Sequence, residues 1–173
     1  MKDIQIIDNF LSEKELQEAL DIIEKTKWVY GNHSGKDGEI PTGGIFWYGL
    51  IDENSLFYEV ILNKIRNIFK KNFKLLSIHV NGQTYAQDGD FHVDYSKDNA
   101  YTCLIYLSDI THKNIDDIGG YTLIKTKNGT VCIEPFLNRL LLFKSNLMHR
   151  GLAPSRYSDT LRVSIAFRFL EVA

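Results

Sequence analysis

The stretch TLRVSIAFRFL, residues 160–170, decides how this chain folds. Its polar and apolar side chains alternate with a period of two, the signature of a β-strand with two unlike faces. Arg162 and Ser164 share one of those faces, and Arg168 falls on it too if the strand stays regular. An arginine turned inward from an apolar strand is costly unless an anion meets it. Its planar fork can grip a carboxylate through two parallel hydrogen bonds, and a serine beside it can donate another. The anion is either a protein carboxylate or the distal carboxylate of a small diacid.

Short runs of the same kind precede this strand. KLLSIHV (74–80), AYTCLIYL (100–107), GYTLIKT (120–126), TVCIEP (130–135) and RLLLFKS (139–145) all read as strands, separated by Gly, Asn, Asp and Lys. IFWYGLI (45–51) is a further strand. Two helices come earlier. The first follows a strand-like start: Ser12 caps it, Glu15 completes a capping box, and Leu11 with Leu16 forms a hydrophobic staple. Leu16, Ala19, Leu20 and Ile23 then line one face. The second helix is predicted over 54–72, where Leu56, Val60, Ile61, Ile65, Ile68 and Phe69 recur at helical spacing. Helices followed by many short strands predict an α+β fold, with helices packed on one sheet of a β-sandwich or jelly roll. A polar, glycine-rich connection, GNHSGKDGEIPTGG (31–44), separates the helices and is a candidate substrate lid. The whole of 1–173 reads as one domain, helical to about 73 and β-rich over about 74–170.

Bulk properties narrow the function. A formal net charge of −2 gives no electrostatic footprint for a polyanion, which disfavours nucleic acid as a partner. Cys103 and Cys132 belong to no metal-binding cluster and read as two small core residues. No stretch approaches the roughly 18–20 apolar residues that span a bilayer, and the first residues lack a signal-type apolar run. The expectation is a soluble, cytoplasmic protein that engages no membrane.

Chemistry enters at DGDFHVDYS, residues 88–96. If 91–95 is extended, His92 and Asp94 project to the same side and can meet one ion, while Phe91, Val93 and Tyr95 turn to the other face and pack. A second imidazole is needed. His33 and His112 sit in loops, and His79 lies within a strand. His149 differs, because it ends the apolar run RLLLFKSNLMHRG, and strand ends at a barrel mouth are where sites are built. Two histidines and one carboxylate form the facial triad of non-haem Fe(II) oxygenases, which leaves open positions on the metal. A structural zinc site would be closed by four ligands.

The ordered set HVD, IGGYT, RLLLF, MHRG and LRVS resembles the 2-oxoglutarate-dependent Fe(II) oxygenases, in particular their prolyl-4-hydroxylase-like branch. The resemblance covers about residues 75–170 and extends weakly to DNFLSEKEL near the start. It implies a double-stranded β-helix core with His92, Asp94 and His149 as iron ligands and catalytic centre. It also implies that Arg162 holds the distal carboxylate of 2-oxoglutarate, with Ser164 and Tyr106 beside it. Gly119 and Gly120 match the turn that enters the next barrel strand. The branch often carries a tyrosine in the strand before the HxD motif; here His79, Asn81 or Tyr85 stands in that region. Arg162 lies 13 positions after His149, farther than in many relatives, and Arg156 is nearer but falls in the loop APSRYSD.

The implied reaction couples oxidative decarboxylation of 2-oxoglutarate, giving succinate and carbon dioxide, to hydroxylation of a substrate C–H bond. Fe(II), 2-oxoglutarate and O2 are its requirements, with ascorbate as an accessory reductant. Halogenating relatives lack the carboxylate that Asp94 supplies, so its presence points to hydroxylation. A prolyl residue of a peptide or protein is the first substrate class, and a free amino acid or other small metabolite is the alternative. Arg168, Trp47 and Tyr85 are candidates to touch the substrate. The rival from another class is a metal-binding jelly roll that senses or binds without turnover.

Overall fold

The computed structural model describes residues 4–34, 43–52 and 56–172. In chain order the elements are β1 (Ile4–Ile7), α1 (Glu13–Lys25), β2 (Lys27–Asn32), β3 (Phe46–Leu50), a π-helical turn (Phe57–Ile61), α2 (Leu62–Phe69), β4 (Phe73–Gln83), β5 (Ala100–Tyr106), α3 (Ile115–Ile118), β6 (Thr122–Thr126), β7 (Gly129–Ile133), β8 (Leu140–Lys144), β9 (His149–Gly151) and β10 (Arg162–Glu171). Seven strands pair in the order β1-β8-β5-β10-β4-β3-β2, and three in the order β7-β6-β9. Every pairing is antiparallel, so two facing sheets form the jelly roll that the strand pattern predicts.

The larger sheet works on both faces, and strict alternation along its central strands makes this possible. From β10, Val163, Ile165, Phe167 and Phe169 join one core cluster; from β5 come Tyr101, Cys103 and Ile105; from β8, Leu140 and Leu142. Helical residues Ala19, Ile23, Ile61, Leu62 and Ile65 complete that cluster, so both helices pack on the outer face of this sheet. The residues between them, Ala166, Leu104, Tyr106, Leu141 and Phe143, face inward and meet Ile124 and Ile133 of the smaller sheet. A register shift between Arg168 and Phe169 interrupts the β10–β4 pairing, which resumes with Phe169 opposite Leu75.

The first helix starts where its sequence says it should. Glu15 N–H donates to the Ser12 hydroxyl, and the Ser12 N–H donates to the Glu15 carboxylate at 2.7 Å, closing the capping box. The second helical segment is shorter than predicted and less regular. It consists of the π turn followed by α2, and it stops at Lys70, whose left-handed backbone (φ 50°) ends the hydrogen-bond ladder. Its predicted start, 54–55, lies outside the described residues, as does 35–42 of the long connection. The connection also yields more strand than predicted, since β2 runs on to Asn32. Two packing expectations are corrected. Cys132 is exposed on β7, because the smaller sheet has only one covered face. Val93 and Tyr95 are each 37% exposed, because their segment pairs on its inner side only. No helix among the described residues is long and apolar enough to cross a membrane.

Asn138 ties the N-terminal segment to the barrel. Its side-chain amide donates to the Leu11 carbonyl at 2.8 Å and accepts from the Leu11 N–H at 2.7 Å, while its backbone carbonyl accepts from the Phe10 N–H. It does this from a left-handed backbone (φ 63°), a conformation Asn tolerates better than most residues. Nearby, buried Arg139 pairs with Asp8 and Glu134 and holds the Asp8 carboxyl below its ordinary range through a hydrogen bond. Asn138→Ala leaves the buried Leu11 peptide group unpaired, and unfolding in urea should show a loss of about 2–4 kcal/mol. The Asp8 pair stabilises the fold above the ordinary carboxylate range and fades as pH falls through the lowered value. Asp8→Asn should therefore flatten the acid limb of a stability-versus-pH curve.

Candidate active site

Between the two sheets lies a cavity of about 360 Å³. One wall is built by two neighbouring strands: β10 presents Arg162, Ser164, Ala166 and Arg168, and β4 presents His79, Asn81 and Gln83. Their register sets Gln83 opposite Arg162 and Asn81 opposite Ser164. His92, Asp94 and His149 line the same space.

Those three meet because the segment before β5 pairs with β9. His92 and His149 exchange both backbone hydrogen bonds, at 3.0 and 2.9 Å, so their rings lie side by side with centroids 4.4 Å apart. The Asp94 N–H donates to the Ser145 carbonyl, fixing the next turn of chain. One ligand atom from each of the three residues falls within 4.8 Å of the others. Each imidazole is oriented through its other nitrogen. The Nδ1 atoms lie 2.9 Å from carbonyl oxygens, of Asp90 for His92 and of Leu147 for His149. A carbonyl can only accept, so Nδ1 carries the proton and Nε2 keeps its lone pair. The Nε2 atoms point at Asp94, 3.6 Å from Oδ1 for His92 and 3.4 Å from Oδ2 for His149.

Asp94 is deeply buried, which alone would raise its pKa. The neighbouring His149 and His92 and the charge of Arg168 outweigh burial and hold it well below the usual carboxylate range. The Thr102 hydroxyl donates to Oδ2 at 2.6 Å. Arg168 Nη2 lies 2.6 Å from Oδ1, yet no donor is aligned on that oxygen as a hydrogen bond. Two imidazole lone pairs and a buried anionic oxygen converging on one point fit a divalent ion with open positions.

Arg162 lies at the other end of the wall and is only 2% exposed. Its Nε donates to the Gly120 carbonyl at 2.6 Å, Nη1 to Gln83 Oε1 at 2.8 Å and Nη2 to the Thr122 hydroxyl at 2.9 Å. Every one of these acceptors is neutral, and burial pushes the Arg162 pKa down. Arg139 provides the contrast within the same molecule. Also buried, though less deeply, it meets two carboxylates, which override burial and raise its pKa. Arg162 is thus a buried cation that, among the described residues, faces no carboxylate and opens on a cavity.

The other expected residues are placed as follows. Ser164 and Arg168 line the cavity. Tyr106 is fully buried behind Thr122, to whose hydroxyl its own donates at 2.8 Å, and it is not part of the lining. Trp47 follows the cavity-lining Phe46, so alternation turns it away, against the Tyr30 ring at 5.0 Å. Tyr85 stands 58% exposed in the turn after β4, outside the lining. Arg156 is exposed and lies over the Tyr157 ring. Sequence reasoning passed over Thr102, Thr122 and Gln83. The inward positions of β5, β6 and β4 could have revealed them, since each is a polar residue on the same face as an expected site residue. Thr102→Val removes the donor on Asp94 and should weaken divalent-ion binding about 10- to 100-fold in an anaerobic titration.

Residues 76–169, more than half of the chain, match the 2OG-Fe(II) oxygenase superfamily. No curated protein matches in sequence. Among solved structures the chain is similar to a prolyl hydroxylase from Trichoplax adhaerens, in complex with a hypoxia inducible factor oxygen degradation domain peptide fragment. That likeness has a TM-score of 0.75 at 20% identity and covers 99% of this chain and 84% of that one. A Pseudomonas putida prolyl-4-hydroxylase gives 0.68 at 16% identity, covering 99% and 94%. HygX from Streptomyces hygroscopicus, with nickel, 2-oxoglutarate and hygromycin B bound, gives 0.65 at 12% identity, covering 98% and 83%. These likenesses speak for the fold, and the family match speaks for the chemistry: the chain belongs to the 2OG-Fe(II) oxygenase superfamily, enzymes that use Fe(II), 2-oxoglutarate and O2.

Proposed function

We propose that the protein hydroxylates an unactivated C–H bond, with His92, Asp94 and His149 holding Fe(II) and Arg162 holding the distal carboxylate of 2-oxoglutarate. The substrate C–H compound, O2 and 2-oxoglutarate give the alcohol, succinate and CO2. When bound, the metal supplies the site at which the keto acid and O2 react. The protein's part is to bind and orient. The His92 and His149 rings are held by the carbonyls of Asp90 and Leu147. Gly120, Thr122 and Gln83 fix the Arg162 fork so that it meets the cosubstrate without rearranging. The observation that carries this reading is the buried Arg162 with neutral partners only, opening on the cavity that the three ligands line. Asp94 supports hydroxylation over halogenation, because a carboxylate fills the position a halide would need.

For the substrate, a prolyl-type residue of a peptide is the first reading, supported by the fold shared with a prolyl hydroxylase in complex with a peptide. A free amino acid is the second, favoured by the polar wall that Arg168, His79 and Asn81 present near the metal ligands.

His92→Ala, Asp94→Ala and His149→Ala should each abolish the weak visible charge-transfer band that Fe(II) and 2-oxoglutarate give anaerobically. Arg162→Met should raise the 2-oxoglutarate KM by about 100-fold, the loss of a buried charge-assisted pair, while Fe(II) affinity is kept. Arg156→Ala should change neither. Wild-type protein that gives no band and no succinate would sink the oxygenase reading, and a KM effect at Arg156 instead of Arg162 would overturn the cosubstrate assignment.

A further inference from the structure

We propose that Arg168 is the receptor for a carboxylate carried by the substrate beside the carbon that reacts, so that the enzyme takes an amino or imino acid with its carboxylate free. This rests on the oxygenase reading above and adds what that reading leaves open, the chemical class of the substrate.

Charge comes first. Among the described residues that line the cavity, Asp94 is the only acid, and Arg162 and Arg168 are the only strong bases. Loaded with a divalent ion and doubly charged 2-oxoglutarate, the site holds three negative charges against four positive ones. One cationic charge stays unmatched in the cavity. Arg162 is answered by the cosubstrate. The unmatched cation is therefore at the Arg168 end.

Geometry agrees. Arg168 and Arg162 are six residues apart on one face of β10, so their backbones are about 20 Å apart along the strand. Nη2 of Arg168 sits 2.6 Å from Asp94 Oδ1, which puts its fork beside the metal ligands. A metal ion on Asp94 draws on that same carboxylate and leaves Arg168 facing a second cation across it. An added carboxylate relieves that repulsion, and none of the described residues on the wall supplies a second one.

Hydrogen bonding is the third, independent point. Arg168 Nε is buried without a hydrogen-bond partner, and so is His33 Nε2, which lines the same cavity. Arg168 Nη1 lies 3.4 Å from His79 Nε2, which fixes the direction of the fork. Unmet donors cost stability when buried. A carboxylate, with two oxygens that each accept more than one bond, satisfies such a guanidinium. An interior prolyl residue has only neutral carbonyls to offer and would leave the charge unanswered.

The test uses the anaerobic Fe(II) and 2-oxoglutarate complex of the whole protein and reads the shift of its visible band. The twenty common L-amino acids are added, each as the free acid, as the N-acetylated acid and as the amide. At least one acid should shift the band with an affinity about tenfold or more above its amide, the increment of one charge-assisted pair. Arg168→Gln should still form the band but lose that preference, and Arg168→Lys should restore part of it. Binding by free acids alone assigns a small metabolite; equal binding by the N-acetylated form assigns the C-terminus of a peptide. The proposal is overturned if no acid is preferred over its amide, if the preference survives in Arg168→Gln, or if Arg168→Gln cannot form the band. The last result would assign Arg168 to the metal site itself. A wild-type protein without any band would instead remove the oxygenase reading beneath it.

Discussion

The two-residue period of β10 is the constraint on which everything else rests. Because successive side chains leave a strand on opposite sides, one ten-residue segment serves two incompatible environments. Val163, Ile165, Phe167 and Phe169 belong to the apolar layer under the helices, while Arg162, Ser164 and Arg168 belong to a polar cavity. A slip of one residue would bury two guanidiniums against the helices and expose phenylalanines to the cavity. Register is therefore enforced by both faces at once.

The same logic fixes the cluster of His92, Asp94 and His149. His92 and Asp94 sit on a segment with little regular structure of its own, and its position comes from pairing with His149. His149, the third member of the cluster, is also the backbone partner of His92. Asp94 is then locked by Thr102 from β5 and by the Ser145 carbonyl after β8. The site is rigid because it is written into backbone pairing.

Much of this was legible in the sequence, for stated reasons. The strands from 74 onward show their alternation openly, and the helix cap at Ser12 uses a local code that tertiary contacts do not override. His92, Asp94, His149 and Arg162 stand out in the sequence because they are chemically conspicuous residues on strands or at strand ends, and the structure brings all four to one cavity. Gln83 and Thr122 were not, because a neutral polar residue on a strand is common and gains meaning only from its partner across the sheet. Arg168 was placed on the right face, but its contact with Asp94 depends on a loop more than seventy positions earlier. Trp47 and Tyr85 were chosen for their aromatic character, and alternation and turn geometry put both outside the cavity lining. The irregular second helix had no sequence signal, since apolar spacing reads the same through a π turn.

The two-faced sheet also sets where the working unit begins. Residues 76–169 carry the family's pattern, yet the outer face of that segment is covered by α1, the π turn and α2. The cavity likewise borrows Asn32 and Phe46 from strands outside it and His33 from the end of one of them. A fragment cut to the family match would bare a broad apolar surface and an open sheet edge, both invitations to aggregate. Recombining this enzyme with a relative should therefore exchange the first seventy-odd residues together with the barrel, because helices and barrel share one interface.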